Sequence, residues 1–241
     1  MMTKHKLVFV KYFIELNEKF IFGRKLKKFY RKYFSDNLNY VIDVGVNTGQ
    51  TISIVQSINN DCIIYGFEPN PKLFDLLKTK YSNSKTINIE QTGISNVVGK
   101  KTFYENILHS TSTFEEYNDN SEYLKKKANI LGVKKENLIA NQYKVNVTTL
   151  SDFISKNQIT HIDLIKIDTE GHEYQCLEGL FSNKLVCEIN YIQIEEHDDD
   201  MYANKLPFSS IEKLLNTNGF YAFHKIKHGF GNFYEVIFKR K

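Results

Sequence analysis

The chain has 241 residues, 41% of them hydrophobic and 25% charged, which is the composition of a globular protein and enough length for one large domain. The net charge is +4, but residues 1–34 hold ten Lys and Arg against two Glu, so the remainder carries about −4 and does not favour a nucleic-acid groove through the fold. The three cysteines show no disulfide or zinc spacing, and no stretch approaches the roughly 20 apolar residues of a transmembrane helix, so the sequence predicts a cytoplasmic protein.

The first predicted element is a basic amphipathic extension over residues 1–38, ahead of a domain over residues 39–241. Its segment "KYFIELNEKFIFGRKLKKFYRKYF" places aromatic and aliphatic residues at helical spacing, with an interruption at Gly23. The pattern predicts one or two helices that pack on the core with their lysines in solvent. The alternative is a surface for an anionic membrane or for a partner subunit, which would include a second copy of this chain.

From residue 40 onwards, short β-rich segments alternate with helical patterns. The predicted strands are "YVIDVG" (40–45), "CIIYGFEP" (62–69), "TINIEQTGIS" (86–95), "IDLIKID" (162–168) and "YIQIEE" (191–196). The predicted helices cover 49–58, 71–81, 172–181 and 209–219. This alternation predicts right-handed βαβ units and a mostly parallel, twisted sheet.

Two regions depart from the alternation. Residues 96–147 contain a predicted strand "KTFYEN", a polar "HSTST" and a Lys-rich helix near 121–131. An insertion of this kind over the carboxyl edge of a sheet is where a lid that shapes the acceptor site would lie. The final segment "YAFHKIKHGFGNFYEVIFKRK" predicts two strands around a glycine-containing turn, so the sheet is expected to end in an antiparallel hairpin.

The segment "VIDVGVNTGQT" combines a buried strand, a tight glycine turn and the start of a helix. Gly45 and Gly49 allow the backbone to turn sharply and to approach a ligand closely, and Asn47 is a residue type that tolerates a left-handed backbone. The spacing is not the GxGxxG of dinucleotide-binding proteins, whose glycines make room for a pyrophosphate.

Glu68 ends the next predicted strand, 19 residues after Gly49. An α/β cofactor site places at this point the carboxylate that binds two ribose hydroxyls. S-adenosylmethionine has a ribose but no pyrophosphate, and its amino acid end can be held by Asp43 and the amides of the glycine turn. The two signals together favour this cofactor over a nicotinamide dinucleotide.

These motifs resemble the FkbM family of S-adenosylmethionine-dependent methyltransferases. The resemblance runs from about residue 40 to 200 and includes "VIDVGVNTGQT", "YGFEPNPKLFDLL", "TGIS", "VNVTTLSDFI", "IDLIKIDTEGHEYQCLEG" and "IEEH". It implies a class I Rossmann-like fold and methyl transfer, usually to oxygen, on sugars, polyketides and related metabolites. Carried onto this sequence, the cofactor contacts are Asp43, Gly45, Asn47, Gly49, Glu68 and, after the third strand, Ser95.

The segment "IKIDTEGHEY" ends the predicted fourth strand with a group of ionisable residues. The carboxyl end of a central strand opens into the ligand crevice of such folds, so Asp168 is expected to face the transferred methyl group. Glu170 and His172 are the other candidates for catalysis, since a carboxylate or an imidazole can take the proton of an acceptor hydroxyl.

The fifth predicted strand ends in a second group that contains Glu195 and His197, two residues apart and therefore on one side of the strand. Together with Asp168 they predict a site for Mg²⁺, Mn²⁺ or Fe²⁺ that would bind and activate the acceptor hydroxyl. His172, or His109 from the insertion, could complete that shell or act as the base. The alternative is a metal-free enzyme in which Asp168 or a histidine is the only base.

The sequence therefore predicts an O-methyltransferase that acts on a sugar or a sugar nucleotide during the biosynthesis of a surface polysaccharide, such as a capsule or lipopolysaccharide. Three alternatives stay open: methylation of a polyketide or other secondary metabolite, N-methylation, and a non-catalytic adenosyl-binding scaffold. The expected partner is a small hydroxylated acceptor, and a homo-oligomer through the N-terminal helices is possible in this interpretation. A dehydrogenase is disfavoured because GxGxxG is missing.

Overall fold

The computed structural model describes residues 22–34, 38–183, 187–197, 199–228 and 233–241, and the fold is given for these ranges. A seven-stranded sheet forms the centre, with the strand order β3-β2-β1-β7-β8-β10-β9. Its strands are β1 Tyr40–Val44, β2 Ile63–Phe67, β3 Ile87–Glu90, β7 His161–Ile167, β8 Glu188–His197, β9 Phe220–Lys227 and β10 Phe233–Arg240. Strands β1, β2, β3, β7 and β8 pair in parallel, whereas β10 is antiparallel to both β8 and β9.

Helices cover both faces of this sheet. They are α1 Gly23–Phe34, α2 Gln50–Gln56, α3 Pro71–Lys80, α4 Glu122–Leu131, α5 Leu150–Lys156, α6 Glu173–Phe181 and α7 Phe208–Thr217. Helices α1, α2 and α3 contribute to the hydrophobic cluster on one face, where Ile52 and Leu77 are fully buried. Helices α5, α6 and α7 contribute to the cluster on the other face, where Leu177 and Leu215 are fully buried. This three-layer arrangement confirms the predicted α/β fold with a mostly parallel sheet.

The predicted antiparallel hairpin is confirmed, but its second strand does not lie at the edge of the sheet. Strand β10 inserts between β8 and β9, so that β9 becomes the edge strand. One consequence for the site is that Glu235 of β10 lies directly opposite Glu195 of β8.

Residues 93–148 build a separate three-stranded sheet with the order β4-β6-β5, where β4 is Gly93–Ile94, β5 is Gly99–Asn106 and β6 is Ile139–Thr148. The prediction of one strand over 86–95 is therefore wrong, because the chain leaves the central sheet after Glu90 and pairs Gly93 with Val147. Strand β6 was not among the predicted strands. Most of its side chains are exposed or only half-buried, so the segment lacks the apolar run that marks a buried strand.

Helix α1 is the described part of the predicted N-terminal extension, whose earlier part, residues 1–21, and whose residues 35–37 lie outside the described ranges. Four side chains of α1 are buried against the sheet, namely Leu26, Phe29, Tyr30 and Phe34. Its other face carries Arg and Lys and no acid. Among the described helices, none has both the length and the apolar character needed to span a membrane.

Candidate active site

The turn after β1 brings the backbone of the glycine motif against the end of β7. Gly45, Asn47 and Gly49 all have a positive φ, of 85°, 53° and 83°. The amide of Gly45 donates to the carbonyl of Phe67 at the end of β2. A Cβ atom on Gly45 would lie 1.9 Å from the carbonyl oxygen of Asp168, so that only glycine fits here. The turn therefore joins the ends of three neighbouring strands at one point.

Glu68 follows β2 and is 4% exposed. One carboxylate oxygen accepts from the amide of Asn47 at 2.8 Å, and the other accepts from the amide of Asn70 at 2.9 Å. Burial raises the pKa of Glu68 to about 7, although these two amides oppose the shift. Each oxygen keeps a lone pair for a further donor, which is the arrangement that a vicinal diol of a ribose requires.

Asp43 lies in β1 and is fully buried. Within the described part of the chain, neither of its carboxylate oxygens has a hydrogen-bond partner. Burial raises its pKa to about 6, and the charge of Lys166 on the adjacent strand β7 limits this rise. A buried carboxylate without a donor is costly unless a ligand supplies one. The two unpartnered acceptor oxygens of Asp43 thus fit a cofactor that carries an amino group.

A crevice with a volume of about 70 Å³ opens beside this turn. Its wall is built from the β1 turn, the ends of β2 and β7, and residues 109–114 of the insertion, and it includes the predicted site residues Gly45, Asn47, Glu68, His109, Asp168 and Glu170. The structure therefore brings together at one crevice three of the six residues that the sequence predicts for the cofactor, and two of the candidates for catalysis, whereas Asp43 and Gly49 are not part of the wall.

Ser95 and His172 lie elsewhere. Both are fully buried, and neither belongs to the crevice wall. The Ser95 hydroxyl lies 3.0 Å from Nε2 of His172, and Nδ1 of that ring lies 2.5 Å from a carboxylate oxygen of Glu115. The predicted cofactor role of Ser95 and the predicted catalytic role of His172 do not match these positions, because both side chains are engaged in a buried link between the insertion and the start of α6.

The insertion also holds the turn that follows β7. Glu170 has a positive φ of 55°, an unusual conformation for a residue with a side chain. The hydroxyl of Thr113 donates to the carbonyl of Glu170 at 2.7 Å, and the hydroxyl of Tyr202 donates to its carboxylate at 3.1 Å. Glu173 accepts from the amide of Gly171 at 3.1 Å and so closes the same turn. The side chain of Glu170 is thereby fixed at the crevice.

Three carboxylates converge at the ends of β7 and β8. Asp168, Glu170 and Glu195 each offer an oxygen, and these oxygens lie within 4.8 Å of one another. Burial raises the pKa of Glu170 and that of Glu195 to about 8. Burial also acts to raise the pKa of Asp168, but the ammonium of Lys166, at 2.8 Å, outweighs it, and that pKa lies below its usual value. The cluster thus holds one firmly ionised acid beside two acids that retain protons near neutral pH.

The structure changes the predicted metal set of Asp168, Glu195 and His197. Nε2 of His197 lies 2.9 Å from a carboxylate oxygen of Glu195, but His197 is not part of the three-residue cluster, where Glu170 takes its place. Two residues along a strand span about 7 Å, so His197 extends beyond the point where Asp168 and Glu195 meet. Glu170 reaches that point because its left-handed turn folds the chain back over the end of β7.

Several residues of the site were not among the predicted ones. Lys166 is 6% exposed and interrupts an apolar strand, which is a signal that the sequence does contain. Glu235 and His228 form a second group with Glu195, in which the ligand atoms also lie within 4.8 Å of one another. This group follows from the insertion of β10 beside β8, which the sequence does not reveal.

The fold and this crevice define a class I methyltransferase: a mostly parallel sheet with an antiparallel strand next to its edge, and a glycine turn and a strand-end acid at its carboxyl side. The family described as "Methyltransferase FkbM domain" matches residues 43–222. The chain belongs to this family, as its motifs predict. No curated protein sequence matches it.

Solved structures share the fold at low sequence identity. The magnesium protoporphyrin IX methyltransferase (ChlM) from Synechocystis PCC 6803 with bound SAH has a TM-score of 0.52 and 11% identity, with 95% of this chain and 87% of that chain covered. TrmK from M. capricolum, in complex with the cofactor product S-adenosylhomocysteine, has a TM-score of 0.50 and 11% identity, with 92% and 68% covered. These likenesses confirm the class I architecture.

Proposed function

We propose that this methyltransferase uses S-adenosylmethionine, held by the turn after β1 and by the end of β2. The cofactor supplies an electrophilic methyl group on a sulfonium. Glu68 would accept the ribose hydroxyls, the backbone of the turn from Gly45 to Gly49 would lie beside the cofactor, and Asp43 would accept from the amino group. The orphan oxygens of Asp43 and the place of Glu68 in the crevice wall support this placement.

The reaction that we propose is methyl transfer to a hydroxyl group, and the observation that carries it is the convergence of Glu195 with Asp168 and Glu170, the two acids that line the crevice. Alignment of an acceptor oxygen with the methyl group supplies most of the rate. Glu170 lines the crevice and has a pKa of about 8, so its ionised form is a suitable base for the proton that the hydroxyl must lose. Asp168, kept ionised by Lys166, orients the acceptor.

A sugar or a sugar nucleotide in the biosynthesis of a surface polysaccharide is the proposed acceptor, in a cytoplasmic setting. The acid cluster supports a hydroxyl over an amine, because carboxylates around an amine stabilise its ammonium form, which is not a nucleophile. A polyketide hydroxyl is the second candidate. A non-catalytic adenosyl-binding scaffold would not need three partly buried carboxylates close together, because such a cluster costs solvation and adds repulsion between like charges.

The test is transfer of a labelled methyl group from S-adenosylmethionine to a panel of nucleotide sugars. We expect a product with the wild-type protein and a loss of at least about a hundredfold with Glu170→Gln, which keeps the size of the side chain but cannot take a proton. Transfer to amine acceptors only would replace the proposal with N-methylation. Stabilisation of the protein by NAD but not by S-adenosylhomocysteine would end it.

A divalent cation at Asp168, Glu170 and Glu195 is part of the same proposal, with Mg²⁺, Mn²⁺ or Fe²⁺ as the ions that suit oxygen ligands. Such an ion would bind the acceptor hydroxyl and lower its pKa. The alternative is a metal-free site in which Glu170 acts alone. Exhaustive chelation followed by addition of single metals separates the two: lost and restored turnover supports the ion, and full turnover in chelator excludes it.

A further inference from the structure

A second cavity lies beyond the carboxyl end of β8 and is referred to here as the β8 cleft. Its volume is about 650 Å³, and it is lined by Asn118, Glu196, His197, Asp199, Asp200, Tyr202, Lys205, Leu206, Pro207, Phe208, Lys225 and Tyr234. Two of these residues border the acid cluster: the hydroxyl of Tyr202 lies 3.1 Å from the carboxylate of Glu170, and the ring of His197 lies 2.9 Å from that of Glu195. A molecule in the cleft is thus one side chain away from the methyl-transfer crevice.

The charges of the cleft do not suit a phosphate. Its two lysines are matched by acids within the cleft itself. Lys225 forms an ion pair with Glu196, and the ammonium of Lys205 lies 3.7 Å from a carboxylate oxygen of Asp199 and 2.6 Å from the carbonyl of His197. Asp200 adds a further negative charge. Among the described residues, the cleft therefore offers no excess of positive charge to a diphosphate or a carboxylate ligand.

The apolar side chains that line the cleft suit the carbon face of a sugar ring. Tyr234 and Phe208 contribute two half-buried aromatic rings, and Leu206 contributes an aliphatic side chain that is 43% exposed. The ammonium of Lys225 lies 4.1 Å from the centre of the Tyr234 ring, so one face of that ring is left for a ligand. A pyranose presents a face of C–H bonds that packs on aromatic and aliphatic surface, while its hydroxyls point sideways to polar groups. A lining that combines apolar and polar side chains suits such a ligand.

Two buried polar atoms point to a hydroxyl group. The Asp199 side chain is 1% exposed and that of His197 is 4% exposed, and Oδ2 of Asp199 lies 3.7 Å from Nδ1 of His197. Neither atom has a hydrogen-bond partner within the described part of the chain. A single hydroxyl between them can donate to the carboxylate and accept from the imidazole, which satisfies both atoms at once.

We infer that the β8 cleft is the acceptor subsite and that it takes the uncharged ring of a pyranoside, with one hydroxyl between Asp199 and His197 and the ring against Tyr234. This inference rests on the proposed function and narrows it. The recognised unit is a neutral glycosyl ring, and the diphosphate of a sugar nucleotide lies outside the cleft.

The experiment is saturation-transfer NMR on the full chain with S-adenosylhomocysteine present and a panel of methyl pyranosides as probes. The variants are Asp199→Asn and Tyr234→Leu. The first keeps an acceptor for the amide of Met201, which Asp199 binds at 2.9 Å, but loses the second carboxylate oxygen. The matched control is Tyr221→Leu, an exposed tyrosine on the neighbouring strand and outside the cleft.

We expect at least one pyranoside to bind to the wild-type protein and to Tyr221→Leu. With each of the other two variants we expect the dissociation constant of that pyranoside to rise by about tenfold or more. The inference is overturned if no pyranoside shows a saturation-transfer signal with the wild-type protein. It is also overturned if the signals are equal for the wild-type protein and all variants. Displacement of the bound pyranoside by GDP also overturns it, in favour of a nucleotide site. Calorimetry with S-adenosylhomocysteine is run separately, and its failure with the wild-type protein would instead count against the proposed function.

Discussion

Asp43, Glu68 and Glu195 are carboxylates that lie where water cannot solvate them, and burial raises the pKa of these groups to about 6, 7 and 8. Each would be stabilised as an anion by a donor or a cation from outside the chain. A cofactor that brings hydroxyls and positive charge to this edge of the sheet therefore also changes the protonation of the protein. The coupling between cofactor binding and proton release can therefore be measured by substituting these carboxylates one at a time.

Glu68→Gln tests this link. The ribose hydroxyls would donate to the ionised carboxylate, so binding lowers the pKa of Glu68 and releases a proton near pH 7, and the wild-type affinity should weaken as the pH falls through 7. Calorimetry of S-adenosylhomocysteine binding in buffers of different ionisation enthalpy measures this proton release. We expect the variant to lose it and to bind about tenfold or more weakly, since charge-assisted hydrogen bonds are each worth about 1.5–3 kcal/mol. Identical proton release in both proteins would remove Glu68 from the cofactor site.

Glu115→Gln tests the buried link between the insertion and the turn that follows β7. The amide of Glu115 donates to Thr113, which holds Glu170, while its carboxylate holds His172. We expect a destabilisation of about 1–3 kcal/mol and a lower kcat with an unchanged affinity for S-adenosylhomocysteine.

The control for this substitution is Glu116→Gln, because Glu116 is the neighbouring residue and contacts the exposed hydroxyl of Tyr104. Urea denaturation and single-turnover kinetics provide the two measurements. A kcat that is unchanged in Glu115→Gln would mean that the link is only structural.

At the scale of single elements, the turn after β1 depends on its contact with β7. Gly45 and Gly219 have the same φ of 85°, but a Cβ on Gly45 meets the Asp168 carbonyl at 1.9 Å, whereas a Cβ on Gly219 meets no atom within 4 Å. Alanine at either position carries the same conformational cost of about 1–2 kcal/mol. Comparison of Gly45→Ala with Gly219→Ala therefore isolates the effect of the steric contact from that of backbone strain.

We therefore expect Gly219→Ala to lower stability by about that amount and to leave cofactor binding unchanged. Gly45→Ala should lose substantially more stability and should not bind S-adenosylhomocysteine. Thermal denaturation and calorimetry provide the measurements. If the two substitutions have equal effects on stability and on S-adenosylhomocysteine binding, then contact between the turn and β7 is not the reason that position 45 requires glycine.

The strands and helices that build the core were predictable because their apolar periodicity is strong, as in His161–Ile167, where the last six residues are all buried. Strand β6 was missed because its half-exposed surface has no such pattern. The strand-end acids Asp168 and Glu195 were predictable from their place after apolar segments. Glu170 was expected in the turn, but its meeting with Glu195 was not, because this depends on a backbone conformation that sequence spacing does not encode.

At the scale of the whole molecule, charge is divided between a basic helix and an acidic active-site edge. Helix α1 buries its apolar face against the sheet, and the hydroxyl of Tyr30 donates to Gln193 at 2.7 Å, next to Glu235. This packing supports the structural interpretation of the described part of the basic extension. A homo-oligomer through the N-terminal helices stays a prediction, and the apolar face of α1 is not available for it.

The acidic edge predicts how stability depends on pH. In the unfolded chain, glutamates release their protons near pH 4.3, whereas the pKa of Glu170 and that of Glu195 lie near 8 in the folded protein. His197 acts in the same direction, because burial lowers its pKa but the neighbouring Glu195 raises it well above its ordinary value. Between about pH 5 and 8 the folded state therefore holds more protons, so the free energy of unfolding should fall as the pH rises.

Urea denaturation of the protein without cofactor at pH 5.5, 6.5 and 7.5 measures this slope. We expect Glu195→Gln to flatten it and Glu90→Gln, at an exposed position on β3, to leave it unchanged. If the free energy of unfolding instead rises with pH across this window, then ion pairs in the folded protein stabilise the ionised form of these acids, and their pKa values are not raised.

The place of β10 in the sheet has a consequence for synthesis on the ribosome. This strand lies between β8 and β9 although it follows both along the chain. A nascent chain that has emerged only as far as Lys227 therefore leaves β9 without a strand to pair with and one side of β8 open. When Phe233–Arg240 has emerged, it can pair with β8 and β9. The same step places Glu235 opposite Glu195, beside the acid cluster. The central sheet is thus complete only after this last strand has emerged.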